Sequence, residues 1–212
     1  MGRVLIADHH PVTIKGITSI LSKESKYNII GSVNDANDIL TFLVKNEVDI
    51  LILEIDIPNF NSISTIKVIK RKYPNTKILI LSCLPEEIYA LSAIKCGASG
   101  YITKTASLQC LLKAVNQAKK GGIYLNESIS NQLITGKSSH NEMLFEYKKL
   151  SSREIDVLNL LSKGKRNTEI AKSLSINEKT VSTYKVRLLK KLNAQNIAEL
   201  IKHAKILQDN SI

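Results

Sequence analysis

The chain has 212 residues, 43% of them hydrophobic and 23% charged, with 30 Lys and Arg against 19 Asp and Glu for a formal net charge of +11. That length suits one or two domains with real cores, and no apolar run reaches the ~18 residues of a membrane span. Three cysteines without metal-ligand spacing, behind a strand-like N-terminus with no secretory pattern, argue against a disulfide scaffold and for reduced thiols in the cytoplasm.

In the first 120 residues short apolar runs alternate with helical patterns. Strands are predicted at Val4–Ala7, Ile29–Val33, Ile50–Leu53, Ile78–Leu81 and Tyr101–Ile102. Most are Val, Ile and Leu without polar alternation, the pattern of strands buried on both faces. Helices are predicted at Val12–Leu21, Asn37–Lys45, Ser64–Lys72, Glu86–Cys96 and Ser107–Lys119. Five such β–α units imply an α/β, doubly wound, five-stranded parallel sheet, and such sheets carry their site at the carboxyl ends of the strands.

The residues at those ends are Asp8, His9 and His10, then Glu54, Asp56 and Pro58, then Ser82, then Thr103 and Lys104. Carboxylates, a hydroxyl and a lysine on four strand ends suit an anion or a divalent cation. They do not make a nucleophile–base pair, so an enzyme is not expected. Asp8, His9 and His10 together invite a transition-metal reading. Adjacent side chains rarely point the same way, so that reading ranks low and no metal ligand set is assigned. Cys83 lies beside this cluster, and redox sensing through it ranks low as well.

Composition changes after Lys120. Gly121 and Gly122 close the first domain, and residues 121–147 read as a linker rich in Ser, Asn and Thr. A short helix is predicted over Glu127–Ile134, and the stretch from Gly136 to Glu142 is the expected flexible part. His140 in the linker and His203 near the end read as solvated.

Residues 148–212 read as a small all-α domain of four helices. Ser151 and Glu154 have capping-box spacing, flanked by Leu150 and Ile155 at staple positions, and start a helix that Gly164 stops. Val157, Leu158 and Leu161 are its expected buried side. Asn167 is the expected cap of a second helix with Ile170, Ala171 and Leu174 inward, and Ser175, Ile176 and Asn177 form a turn. Asn177 then caps a third helix, Glu178–Leu192, whose Val181, Tyr184, Leu188 and Leu192 share one face. Its other face carries Lys179, Thr180, Ser182, Thr183, Lys185, Val186, Arg187 and Lys190. Asn196 and Glu199 repeat the box spacing before a fourth helix. Between Lys163 and Lys191 stand nine Lys or Arg and two acids. A helix held by its apolar side, with hydroxyls and cations outward, has the chemistry of a major-groove reader. The charge agrees: residues 148–205 hold 14 basic and 5 acidic residues, against 15 and 10 in residues 1–120.

The order of ADHHP, LILEIDIP, ILILS, GYITK and the C-terminal LSSREIDVLNLL and TVSTYKVRLLKKLN resembles a response regulator of the NarL/FixJ type. The likeness covers nearly the whole chain: a receiver domain (flavodoxin-like, 1–120), a linker (121–147) and a LuxR-type helix–turn–helix domain (148–212). It implies a DNA-binding transcription regulator that dimerises on double-stranded DNA, with a histidine kinase or another protein regulator as partner of the receiver. It further implies that strand three ends in an aspartate that accepts a phosphoryl group, and that strand one ends in two acids that help hold Mg²⁺. Here Glu54 and the pair Asp8–His9 stand at those positions. Ser82 and Lys104 match the switch hydroxyl and the phosphate-pairing lysine, and Tyr101 the aromatic that reorients with that hydroxyl.

Imidazole for carboxylate removes a hard anionic ligand, so any Mg²⁺ held by Asp8, Glu54 and the Asp56 carbonyl is expected to bind weakly. Glutamate reaches ~1.5 Å farther than aspartate, which misplaces a nucleophile. The longer carboxylate is expected to meet Lys104 and Ser82, imitating in part a phosphorylated aspartate or serving as a plain ion pair. The chain therefore reads as a sequence-specific regulator whose atypical receiver controls dimerisation without ordinary phosphorylation. The alternative is an interaction module whose receiver-like domain titrates a partner protein, with DNA binding secondary.

Overall fold

Each of the first five apolar runs forms a strand, and each is followed by a helix. The computed structural model describes residues 1–60, 62–126, 129–130 and 150–209, without the side chains of 203 and 206–209. The strands are β1 (Gly2–Ala7), β2 (Tyr27–Val33), β3 (Ile50–Leu53), β4 (Lys77–Ser82) and β5 (Gly100–Thr103). The helices between and after them are α1 (Pro11–Leu21), α2 (Ala36–Lys45), α3 (Ser64–Lys72), α4 (Glu86–Lys95) and α5 (Leu108–Lys119). The sheet is parallel with the order β2-β1-β3-β4-β5, a doubly wound arrangement.

Alternation along the inner strands feeds two cores. Val4, Ile6, Ile50, Ile52, Leu79 and Leu81 pack with Ile17 of α1 and Leu111, Ala114 and Val115 of α5. Leu5, Ala7, Leu51, Leu53, Ile78 and Ile80 pack on the opposite face with Ile39 of α2, Ile66 of α3 and Ile88 of α4. β3 is buried along its whole length. β2 is different: only Tyr27 is fully buried, because β2 lies at the sheet edge. The expectation of strands buried on both faces fails there for that reason.

Register sets the strand ends side by side. Ala7 pairs with Leu53, Leu53 with Ile80, and Ser82 with Thr103. Asp8, Glu54, Ser82 and Lys104 are therefore brought to one rim by the backbone alone. Past α5, Tyr124 bridges to Gly100 and so extends the β5 edge. A Cβ on Gly100 would lie 2.9 Å from the Tyr124 carbonyl, so this approach requires glycine. The expected Glu127–Ile134 helix lies mostly outside the described residues, of which only Ile129 and Ser130 are helical. The stretch 136–142, with His140, lies outside them altogether.

The C-terminal domain has helices α6 (Ser152–Ser162), α7 (Asn167–Leu174), α8 (Glu178–Lys191) and α9 (Ile197–Asp209). Ser151 and Glu154 form the expected capping box, and Gly164 sits at φ +76 beyond the end of α6. The cap of α7 is Arg166, one residue before the expected Asn167, which is the first helical residue instead. Ser175 takes a left-handed conformation at φ 53 and turns the chain into α8. At α9 the expected box is half made: Asn196 accepts from the Glu199 N–H at 2.9 Å, but Glu199 reaches the N–H of Gln195.

Asn177 caps α8 by accepting from the Thr180 N–H at 2.7 Å and from its hydroxyl at 2.8 Å. Asn177→Ala leaves that N–H without its cap and is expected to cost ~1 kcal/mol. Thermal or urea denaturation followed by circular dichroism measures the loss. A midpoint equal to that of the wild type would contradict this role.

Candidate strand-end site and nucleic-acid interface

Glu54 is 1% exposed at the end of β3. Its Oε1 accepts from the Asp56 N–H at 2.9 Å and from the Ser82 hydroxyl, while Oε2 faces the Lys104 ammonium at 2.9 Å. Lys104 also reaches Asp8 Oδ2 at 2.7 Å. Burial works to raise the Asp8 carboxyl, but hydrogen bonds from Lys104 and His10 outweigh it and hold the group below its ordinary range. Burial likewise works to lower Lys104, and the two carboxylates outweigh it in the other direction. One largely covered ammonium shared by two buried carboxylates leaves these three side chains with a net negative charge. Removing Lys104 strands two buried carboxylates.

The Ser82 hydroxyl also accepts from the Leu84 N–H at 3.2 Å. Tyr101 is buried, and its hydroxyl donates to the Leu84 carbonyl at 2.9 Å. Burial and the nearby Glu54 charge push the Tyr101 phenol well above its usual range, so it remains a donor. Glu54, Ser82, Leu84 and Tyr101 thus form one hydrogen-bonded path from the strand ends into the β4–α4 loop. Cys83 lies beside it, and burial raises its thiol. That favours the unreactive protonated form.

The Mg²⁺ implied by the sequence resemblance does not fit this donor set. Mg²⁺ demands near-octahedral oxygen ligands. Here the second acid is an imidazole, and Asp56 is paired with Lys163. The imidazoles are not where adjacency suggested. His9 and His10 have ring centroids 3.9 Å apart. Donor atoms of Asp8, His9 and His10 all lie within 4.8 Å of one another. The turn from β1 into α1 folds back, with the His10 N–H bonded to Asp8 Oδ1 at 2.8 Å, and so brings neighbours together.

α8 is seated by Val181 and Leu188, both fully buried, and by Leu192 just beyond its end, with Tyr184 partly covered. Lys191 reaches back to the buried Glu154 at 2.8 Å and ties the end of α8 to the start of α6. Lys179, Ser182, Thr183, Val186, Arg187 and Lys190 are exposed on the outer side. Thr180 is committed to the Asn177 cap, and Lys185 is half-buried with its ammonium on Asn167 Oδ1 at 3.1 Å. Asn167, read in the sequence only as a cap, thus holds the Lys185 side chain. Arg187 lies over the Tyr184 ring, 5.8 Å from its centroid. The outer face therefore presents cations held on a rigid helix, with short hydroxyls between them.

The two domains touch through a pairing that sequence reasoning did not foresee, although Asp56 was among the strand-end residues. Asp156 of α6 is 3% exposed and accepts from the Ser62 hydroxyl at 2.6 Å and the Ile63 N–H at 2.9 Å. Lys163, just past α6, pairs with Asp56 two residues from Glu54. The only signal was Asp156 itself, a lone acid inside the apolar run from Ile155 to Leu158. This contact leaves the outer face of α8 open.

The model of the response regulator receiver domain matches residues 4–116, and that of the bacterial regulatory proteins of the luxR family matches residues 148–204. The Fimbriae Z protein of Salmonella typhimurium is 33% identical over 205 residues, covering 95% of each chain. The oxygen regulatory protein NreC of Staphylococcus carnosus is 31% identical over 210 residues, covering 95% of this chain and 96% of its own. Among solved structures, RcsB from Salmonella enterica serovar Typhimurium, bound to promoter rprA in the presence of phosphomimetic BeF3-, aligns with a TM-score of 0.82 at 28% identity. That alignment covers 96% of this chain and 98% of RcsB. With a receiver sheet at one end and a seated, cation-bearing helix at the other, the chain belongs to the response regulators of the LuxR family, DNA-binding regulators of transcription.

Proposed function

We propose that this regulator reads duplex DNA sequence-specifically as a dimer through α8, and that Glu54, rather than phosphorylation, holds its receiver in the binding-competent arrangement. The observation that carries the receiver half is the position of the Glu54 carboxylate between the Ser82 hydroxyl and the Lys104 ammonium. The two groups that would meet a phosphoryl oxygen are already satisfied by a built-in anion. The buried Tyr101, bonded to the same loop as Ser82, supports the same reading. The imitation is partial, with one negative charge where a phosphoryl group carries roughly two. RcsB was solved on promoter DNA with a phosphomimetic present. Here a side chain takes that part.

On this reading the chain performs no catalysis of its own and acts in the cytoplasm. Lys179, Ser182, Thr183, Val186, Arg187 and Lys190 contact DNA directly, while Lys185 and Thr180 serve the fold of the reading head as well. Some of these contacts go to phosphate and position the helix without reading sequence.

The test compares wild type with Glu54→Ala and Glu54→Asp by sedimentation velocity and by affinity for bound genomic fragments. Glu54→Ala is expected to shift the dimer toward monomer and to weaken DNA binding on the order of tenfold, the scale of a typical coupling between sites. Wild type incubated with a small phosphodonor is expected to gain no phosphate by intact mass. An unchanged Glu54→Ala, or a stoichiometric adduct on the wild type, would contradict the proposal.

A further inference from the structure

We infer that Asp8, His9 and His10 form a site for a borderline transition-metal ion of the Zn²⁺ class, in the place where a receiver would hold Mg²⁺. The three donors come from consecutive residues at the carboxyl end of β1. Pro11 opens α1 directly after them, with His10 as the extended N-cap residue. The Asp8 carboxylate closes that turn by accepting the His10 N–H. As a result both rings lie on one side, 3.9 Å apart, and the carboxylate and both imidazoles converge within 4.8 Å.

Two observations point to a missing ligand. His9 Nδ1 is sealed from solvent and makes no hydrogen bond. A buried ring nitrogen without a partner costs free energy, and a metal bond would remove that cost. In addition, a cation already sits against this donor set. The Lys104 ammonium lies 2.7 Å from Asp8 Oδ2 and 2.9 Å from His10 Nδ1. The same nitrogen lies 2.8 Å from Asp8 Oδ1, and in its unprotonated form it is open to a metal bond in place of these contacts. The incoming ion would displace Lys104 from Asp8 and His10, leaving it on Glu54 at 2.9 Å.

The donor chemistry selects the ion. Two imidazoles and one carboxylate suit Zn²⁺, with bonds of about 2.0–2.2 Å and an open position for water. Tetrahedral bonds of that length separate donors by roughly 3.3 Å, so the cluster needs only a small closure. Mg²⁺ gains nothing from imidazole nitrogen and keeps its water. The substitution that spoils the Mg²⁺ site thus makes a different one.

The test titrates Zn²⁺ into the metal-free full-length protein in competition with a chromogenic chelator, with Mg²⁺ as the comparison ion. One Zn²⁺ per chain is expected to bind, with no displacement by Mg²⁺. His9→Ala and His10→Ala are each expected to weaken binding by about tenfold or more. The His140→Ala/His203→Ala double variant and Cys83→Ser are expected to bind as wild type does. Circular dichroism confirms that each variant is folded. Should a His9 or His10 variant unfold, the visible absorption of Co²⁺ bound to wild type decides, since tetrahedral nitrogen and oxygen ligation differs from thiolate or hydrated Co²⁺. Absent or non-saturating Zn²⁺ binding, unchanged binding in the His9 and His10 variants, loss in Cys83→Ser, or a thiolate Co²⁺ spectrum would each overturn the assignment.

Discussion

Lys179→Ala/Arg187→Ala is expected to weaken binding of the full-length protein to its DNA sites on the order of 100-fold. Both side chains are exposed on the outer face of α8, while Val181 and Leu188 beneath them stay fully buried. The truncations therefore remove charge and hydrogen-bonding capacity and leave the core in place. A side chain bonded to a base edge is worth about 1–3 kcal/mol of discrimination, and a phosphate contact releases about one counterion. The two roles are separable. If Lys179 binds phosphate, its single variant loses affinity evenly across sequences, and the slope of log affinity against log salt falls by about 0.9. If Arg187 reads a base, its single variant loses preference at one position of the site. Fluorescence anisotropy at several salt concentrations makes both measurements. Wild-type affinity in the double variant would remove this helix from the interface.

Asp156→Ala is expected to free the C-terminal domain from the receiver, at a cost of about 1–3 kcal/mol to their association. The substitution leaves the Ser62 hydroxyl and the Ile63 N–H without their acceptor at the start of α3. The same contact carries a pH dependence. Burial raises the Asp156 carboxyl to about 6, against partial opposition from the Ser62 and Ile63 hydrogen bonds and from Arg153. An acid whose pKa is raised by docking binds its proton more tightly when docked than when free. The association is therefore strongest below the ordinary carboxylate pKa of about 4 and weakens as pH rises through about 6. Limited proteolysis of the linker across pH 4.5–7.5, or small-angle scattering, reports the opening. In the variant this dependence is expected to vanish. Identical pH profiles for wild type and variant would show that Asp156 does not govern the contact.

These domain contacts were the least legible feature in the sequence, for a physical reason. Asp156 meets Ser62 across 94 positions, and Lys163 meets Asp56 across 107. No local periodicity encodes such a pairing. By contrast, β3 has the bounds that its apolar run predicted, because burial on both sheet faces leaves no polar residue to blur them, and α3 has its predicted bounds as well. The caps at Ser151 and Asn177 were legible because a cap is a four-residue pattern with its own chemistry. Asn167 misled by one residue since Arg166 at the cap makes no use of a short polar side chain.

The strand-end cluster was legible as a set of residues, since parallel strands must end on one rim. Its internal geometry was not. That Glu54 would span Ser82 and Lys104 followed from the length of its side chain, and the contacts are present. That His9 and His10 would converge did not follow, because the turn between β1 and α1 sets their directions and sequence spacing does not. On α8 the outer stripe was legible as a stripe. The withdrawal of Lys185 toward Asn167 was not, since it depends on how α7 crosses α8.

The most direct test of DNA reading by α8 is selection from fragmented genomic DNA by the purified full-length protein, followed by sequencing, with Lys179→Ala/Arg187→Ala run alongside. The expected result is enrichment of one recurrent motif with two half-sites about one helical turn apart, absent from the variant's pool. A wild-type pool with no sequence enriched over the input, or the same motif recovered by the variant, would contradict it.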